Sequence, residues 1–231
     1  MADSNSSPVG REPFFNAPLL TLAIPAVILA GYLLQVLAGP SGQGLLLDDF
    51  ALTPVLLRQG HWDLLLSHIF LHGSWAHAGL NAAFCLAFSA PVVRAAGPGA
   101  GGVLSFLVFF LLCGVVAGLG YCLLNWRGEA SNIPVIGASG AISGLMGASS
   151  RLMGVPRGQL NGFTRGPVVG MTLFWCGVNA ASAFIPEVMG VGVSAGKAPV
   201  AWQDHVVGFL FGLLLIEPWL RVFHRQYFTT S

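Results

Sequence analysis

Charged side chains are scarce in this chain: ten Lys or Arg and nine Asp or Glu stand among 231 residues. That is 8% charged, against about 25% in ordinary soluble domains. So few charges cannot solvate the surface of a water-borne globule. The net charge of +1 leaves no basic field of the kind that holds nucleic acid. Cysteine is sparse as well. Cys85, Cys113, Cys122 and Cys176 lie inside apolar runs with no CxxC pair, which predicts four buried thiols rather than a disulfide framework or a zinc ribbon. Apolar residues make up 55% of the chain and the mean hydropathy is +0.75. That richness excludes a disordered chain and predicts an all-α polytopic membrane protein.

A helix needs about 20 apolar residues to cross a bilayer. Six stretches approach that length: 17–37 with Pro25 inside it, 75–93, 103–124, 137–153, 167–185 and 203–223. The fourth is short, which predicts a start below the membrane surface. The first is too long for a signal peptide, and no basic region immediately precedes it. Orientation follows from the basic residues. With the N-terminus in the cytoplasm, Arg11, Arg94, Arg151, Arg157, Arg165, Arg221 and Arg225 fall inside, and Arg58, Arg127 and Lys197 fall outside. Both termini are thus expected in the cytoplasm. Residues 1–16 read as a disordered tail and 224–231 as a second tail, flanking one membrane domain over 17–223. The stretch 38–74 mixes Asp48, Asp49, Arg58 and Asp63 with leucines. It reads as an outer loop that lies in the interface or packs on the bundle.

Polar groups inside spans are expensive, about 2.5–3.5 kcal/mol for a charge at the centre, so each is a functional candidate. His68, His72, His77 and Asn81 form the first cluster, with His77 and Asn81 four residues apart on one helical face. Imidazoles suit zinc, but no HExxH glutamate, cysteine or carboxylate accompanies them. Plain interfacial histidines are the other reading of the cluster. The second is Gly137-Ala138-Ser139-Gly140 at the head of the fourth span, followed by Ser143, Gly144 and Gly147. Small residues at such spacing serve close helix packing. A serine at a helix N-terminus also sits where unpaired N–H groups favour developing negative charge. The third is Asp204-His205 with Gly208 and Gly212, three and seven residues after the histidine on its own face. That glycine stripe predicts close packing of the sixth span on the fourth, bringing His205 towards Ser139. Such a contact is the minimum for an activated nucleophile.

Together the three motifs resemble the rhomboid family of intramembrane serine proteases. The resemblance runs from about Trp62 to Gly212 and rests on H-x₃-H-x₄-H-x₃-N as His68, His72, His77 and Asn81, GxSG as Gly137 to Gly140, and H-x-x-G as His205 to Gly208. It implies a six-span bundle around a water-filled cavity open to the outer face, with the loop between spans one and two associated with the membrane. It implies Ser139 as nucleophile and His205 as general base in a dyad, without cofactor or metal. His77, Asn81 and the Ser139 backbone N–H would hold the oxyanion. By the same resemblance His72 supports the site from its rim by hydrogen bonding, and His68 orders the loop. Substrates would be spans of other membrane proteins, in a bacterial-type inner (plasma) membrane. A catalytically inactive client-binding relative and a small His-lined transporter are the rival readings. The first usually lacks the serine or histidine kept here, and the second leaves GxSG unexplained.

Three departures from the family pattern bear on the site. Trp62-Asp63 replaces Trp-Arg, so the loop is expected to be anchored without that guanidinium. Ser143 stands where a tyrosine often stacks on the base histidine. Asp204 precedes His205 where a small residue is usual. Helix neighbours point about 100° apart, so Asp204 reads as an outer-surface charge rather than a partner of the imidazole.

Overall fold

The computed structural model describes residues 19–184 and 201–229. The tail at 1–16, the first two residues of the first span, Ile185, Lys197 and the last two residues lie outside the described residues. Helix accounts for 79% of the described residues, and no strand forms among them. The helices are α1 (Leu19–Leu37), α2 (Gly39–Phe50), α3 (Pro54–Arg58), α4 (Leu64–Ser67), α5 (Trp75–Ala96), α6 (Gly99–Leu124), α7 (Ser139–Leu152), α8 (Gly166–Phe184), α9 (Trp202–Phe223) and α10 (Gln226–Thr229). Single 3₁₀ turns occupy His68–Phe70 and Glu129–Asn132. The six expected spans correspond to α1, α5, α6, α7, α8 and α9, whose described ends coincide with the expected ones or differ by up to four residues. Four of them (α1, α5, α6 and α9) are long and apolar enough to cross a membrane alone.

The fourth span is the exception that organises the rest. Its 14 residues extend only about 21 Å at 1.5 Å per residue, less than the roughly 30 Å of a hydrocarbon core. Every residue from Gly140 to Leu152 is buried, so α7 meets protein, not lipid, on all sides. It packs against α9, α6, α5 and α8, while α1 reaches the bundle through α5. Its small residues are the reason. With Gly, Ala and Ser at nine of its 14 positions, neighbouring backbones can close in around it. The outer helices turn large apolar side chains such as Leu34, Leu104, Leu173 and Leu214 outward, as lipid contact requires.

At the far end of α7 the buried Arg151 pairs with Glu217 of α9 at 2.6 Å and lies over the Phe163 ring. Asn161 donates to the carbonyls of Ser150 and Met153, at 3.0 and 2.7 Å, which satisfies the last turn of the helix. Residues 224–229 pack against the bundle. The His224 ring bonds Ser105 at 2.5 Å, and the buried Tyr227 donates its hydroxyl to Gln159 at 3.1 Å.

The segment between α1 and α5 both rides the surface and packs on the bundle. No residue of α2 is buried. Leu52, Leu57, Leu64 and Leu65 instead pack with Tyr121, Cys122 and Val135 beside α6. The loop is held without an arginine after Trp62: Arg58 donates to the Trp126 carbonyl and lies over that indole at 5.7 Å. One expectation is corrected here, that of four buried thiols: Cys85, Cys113 and Cys122 are buried, but Cys176 is exposed on α8. A thiol in an apolar run can face lipid as readily as protein, and the run alone does not distinguish them.

Candidate active site

Ser139 opens α7, and the chain leading to it is held at several points. Leu52 and Val135 exchange backbone hydrogen bonds of 3.1 and 2.8 Å, and the Gly137 N–H donates to the His68 carbonyl at 2.9 Å. His68 thus links the outer loop to the GxSG turn through its backbone. Its ring is buried, Nδ1 contacts the Leu64 carbonyl at 2.8 Å, and burial pushes its pKa down to about 4. Gly137 has φ +114°, a conformation that favours glycine. A Cβ there would stand 2.7 Å from His77 Nε2 and 3.7 Å from Asn81 Nδ2. The turn before Ser139 therefore runs directly beneath these two side chains.

The start of α5 sets their direction. Ser74 caps the helix by accepting from the His77 N–H at 3.0 Å. The Gly73 N–H donates to His77 Nδ1 at 3.4 Å, so in the neutral ring the hydrogen belongs on Nε2, facing Gly137. Asn81 uses one amide hydrogen on the His77 carbonyl, 3.1 Å away, which leaves the other for the turn. No side chain caps α7 at Ala138, so the first N–H groups of α7 also face this space.

His205 comes from α9. A Cβ on Gly208 would lie 2.2 Å from the Gly140 carbonyl oxygen, and one on Gly212 would lie 2.0 Å from that of Gly144. The two helices therefore touch backbone to backbone along the glycine stripe. Since contacts advance together along both chains, α7 and α9 run parallel with their N-termini at one end. Ser139 lies one residue before the first crossing and His205 three residues before it. Ser139 is half-buried and His205 buried.

Residues 59–221, more than half of the chain, match the family model for the Rhomboid domain. The chain belongs to the rhomboid family. It is accordingly an integral membrane protein, and the family is one of intramembrane proteases that includes inactive members. No curated protein matches the chain.

Several site residues of this rhomboid sit otherwise than expected. His72 is not a rim residue that hydrogen-bonds through its ring. It is buried, and neither ring nitrogen meets a partner among the described residues. Its ring stands edge-on to His77 at 5.1 Å, and its backbone exchanges hydrogen bonds with the Gln35 amide at 2.9 and 3.3 Å. Enclosure between α1 and α5 is the physical reason. Asp204 is not an outer-surface charge. It is 1% exposed, and a Cβ on Gly140 would lie 2.4 Å from its Oδ2. The close approach of α9 to α7 covers a residue that a free helix would leave outside. Ser143 turns back along its own helix, donating to the Ser139 carbonyl at 2.7 Å. The aromatic neighbour of His205 comes instead from α8: the Trp175 ring lies 5.4 Å away at 45°.

Two polar residues of the site went unnoticed in the sequence. Gln35 brackets the His72 backbone, and Asn179 Oδ1 lies 2.7 Å from His205 Nδ1. Each is a lone polar residue within an apolar span, the signal that singled out the histidines.

Proposed function

We propose that this rhomboid is an intramembrane serine endopeptidase. The observation that carries the reading is the backbone contact of Gly140 with Gly208, which sets the heads of α7 and α9 side by side. Ser139 Oγ attacks the scissile carbonyl carbon while His205 Nε2 takes the hydroxyl proton. The carbonyl π pair moves onto oxygen, where His77 Nε2–H, the Asn81 amide and the Ser139 N–H receive it. The C–N bond then breaks as His205 returns the proton to the leaving amine. Water, deprotonated by the same imidazole, hydrolyses the acyl-serine. Only side chains and backbone take part, so no cofactor or metal is invoked.

Substrates in this proposal are spans of other membrane proteins, entering from the bilayer at the end that carries the outer loop. The termini are cytoplasmic, by the arginine count, in a bacterial-type inner membrane. A peptide bond inside an intact helix is out of reach of Ser139, so the client must unwind. Gly and Pro in the client weaken its helix by roughly 1 and 3 kcal/mol, and replacing them with Leu should slow cleavage by at least about tenfold.

The test is covalent labelling of the purified protein with a fluorophosphonate. Wild type and Ser143→Ala are expected to label, whereas Ser139→Ala and His205→Ala are not. An unlabelled wild type would favour the inactive client-binding relative or the transporter.

A further inference from the structure

His205 can serve as a base only if its free lone pair faces the serine, and a neutral imidazole has two ways to place its hydrogen. We propose that Asn179 of α8 is a positioning residue that holds His205 in the Nδ1–H form, leaving Nε2 bare for Ser139. The inference deepens the endopeptidase reading and rests on it for its consequence, while the bond itself follows from three groups: the Trp175 carbonyl, the Asn179 amide and the His205 ring.

Asn179 Nδ2 lies 2.8 Å from the Trp175 carbonyl. A carbonyl only accepts, so that end of the amide must be the NH₂ group and the other end, 2.7 Å from His205 Nδ1, must be Oδ1. Oδ1 in turn only accepts. Hence Nδ1 carries the hydrogen, and the neutral ring keeps its lone pair on Nε2. The Trp175 carbonyl, by fixing the amide, fixes the imidazole.

Other features of the site agree with this assignment. Trp175 and Asn179 stand four residues apart on α8, so the indole that flanks the His205 ring and the amide that bonds it share one helical face. All three residues are buried, so water does not compete for Nδ1. Asp204, the only acidic residue beside His205 in sequence, is turned against Gly140. An amide acceptor also suits this depth. It orients the ring and still accepts from Nδ1 when Nε2 is protonated, without the desolvation of a buried carboxylate. The site then carries two imidazoles in opposite forms: His77 with its hydrogen on Nε2 as a donor, and His205 with its hydrogen on Nδ1 as an acceptor.

The test reads His205 ring-nitrogen chemical shifts in ¹⁵N-histidine-labelled protein, assigned with His205→Gln, alongside cleavage of a single-span model substrate. In the wild type, Nδ1 is expected protonated and Nε2 bare. Asn179→Leu, similar in size but without the acceptor, should give a mixture of both forms. Its kcat should fall about tenfold to a hundredfold, with KM within about twofold. Asn179→Asp keeps an acceptor and should return the ring to the Nδ1–H form with kcat above that of Asn179→Leu, but below wild type because the bond to the Trp175 carbonyl is lost and a carboxylate is buried. A wild-type ring with its hydrogen on Nε2, a Leu variant with wild-type kcat, or an Asp variant as slow as the Leu variant would each overturn the proposal. Should Asn179→Leu fail to fold, the wild-type shifts and the Asp variant decide it. Ser139→Ala separates the two readings. Full activity in that variant removes the nucleophile, while the nitrogen shifts still report whether Asn179 holds His205.

Discussion

Gly208→Ala probes the contact on which the site depends. Its methyl would lie 2.2 Å from the Gly140 oxygen, 3.0 Å from the Gly140 carbonyl carbon and 3.3 Å from Ala117 Cβ. Ordinary contact begins at 3.4 Å, so the helices must part by the difference of 3.4 and 2.2 Å, about 1.2 Å. The obstacle is backbone, which no rotamer change can clear. Overpacking of this kind costs about 1–3 kcal/mol. His205 lies within one turn of Gly208 and travels with α9, and displacing a reacting group by about 1 Å can lower a rate on the order of 10²-fold. The matched control is Gly177→Ala on α8, where a Cβ meets nothing within 4 Å. Fluorophosphonate labelling rates and thermal unfolding in detergent would be read together. Gly208→Ala should label about 100-fold more slowly and melt earlier, while Gly177→Ala should match wild type in both. Wild-type labelling and melting in Gly208→Ala would refute the backbone contact and the alignment inferred from it.

Three further outcomes follow from the same geometry. His77→Ala or Asn81→Ala should lower kcat by about 10²–10³ with little change in KM, measured on the model substrate, because these donors act only once charge reaches the oxygen. In unfolding measurements Glu217→Ala should destabilise by about 3–5 kcal/mol, since it strands the buried Arg151 guanidinium, whereas Arg151→Met combined with Glu217→Leu should cost far less. His68 titrates near 6.5 when unfolded but is held to about 4 in the fold by burial. The unfolded chain therefore binds the proton first as pH falls, so stability is complete above about 6.5 and is lost progressively towards pH 4. His68→Gln should flatten that slope by about one proton in unfolding measured against pH.

What the sequence determined by itself was whatever depends on spacing within one helix. Apolar run length located the six helices, and the short 137–153 stretch announced a helix of only 14 residues. The four-residue step from His77 to Asn81 placed both on one face of α5. The three- and four-residue steps through Gly208 and Gly212 marked the face on which α9 meets α7. Such relations follow from the 3.6-residue turn and need no neighbour. Tertiary structure alone decided which way each face points. Lipid and protein interior are both apolar, so hydropathy does not tell the lipid-facing Cys176 from the buried Cys113, and a charged label does not tell the covered Asp204 from a wet one. The pairings of Gln35 with His72, Arg58 with Trp126 and Asn179 with His205 link separate elements. Each depends on how two helices or loops are rotated and offset against each other, a choice made by the close packing of glycine against backbone at the centre of the bundle.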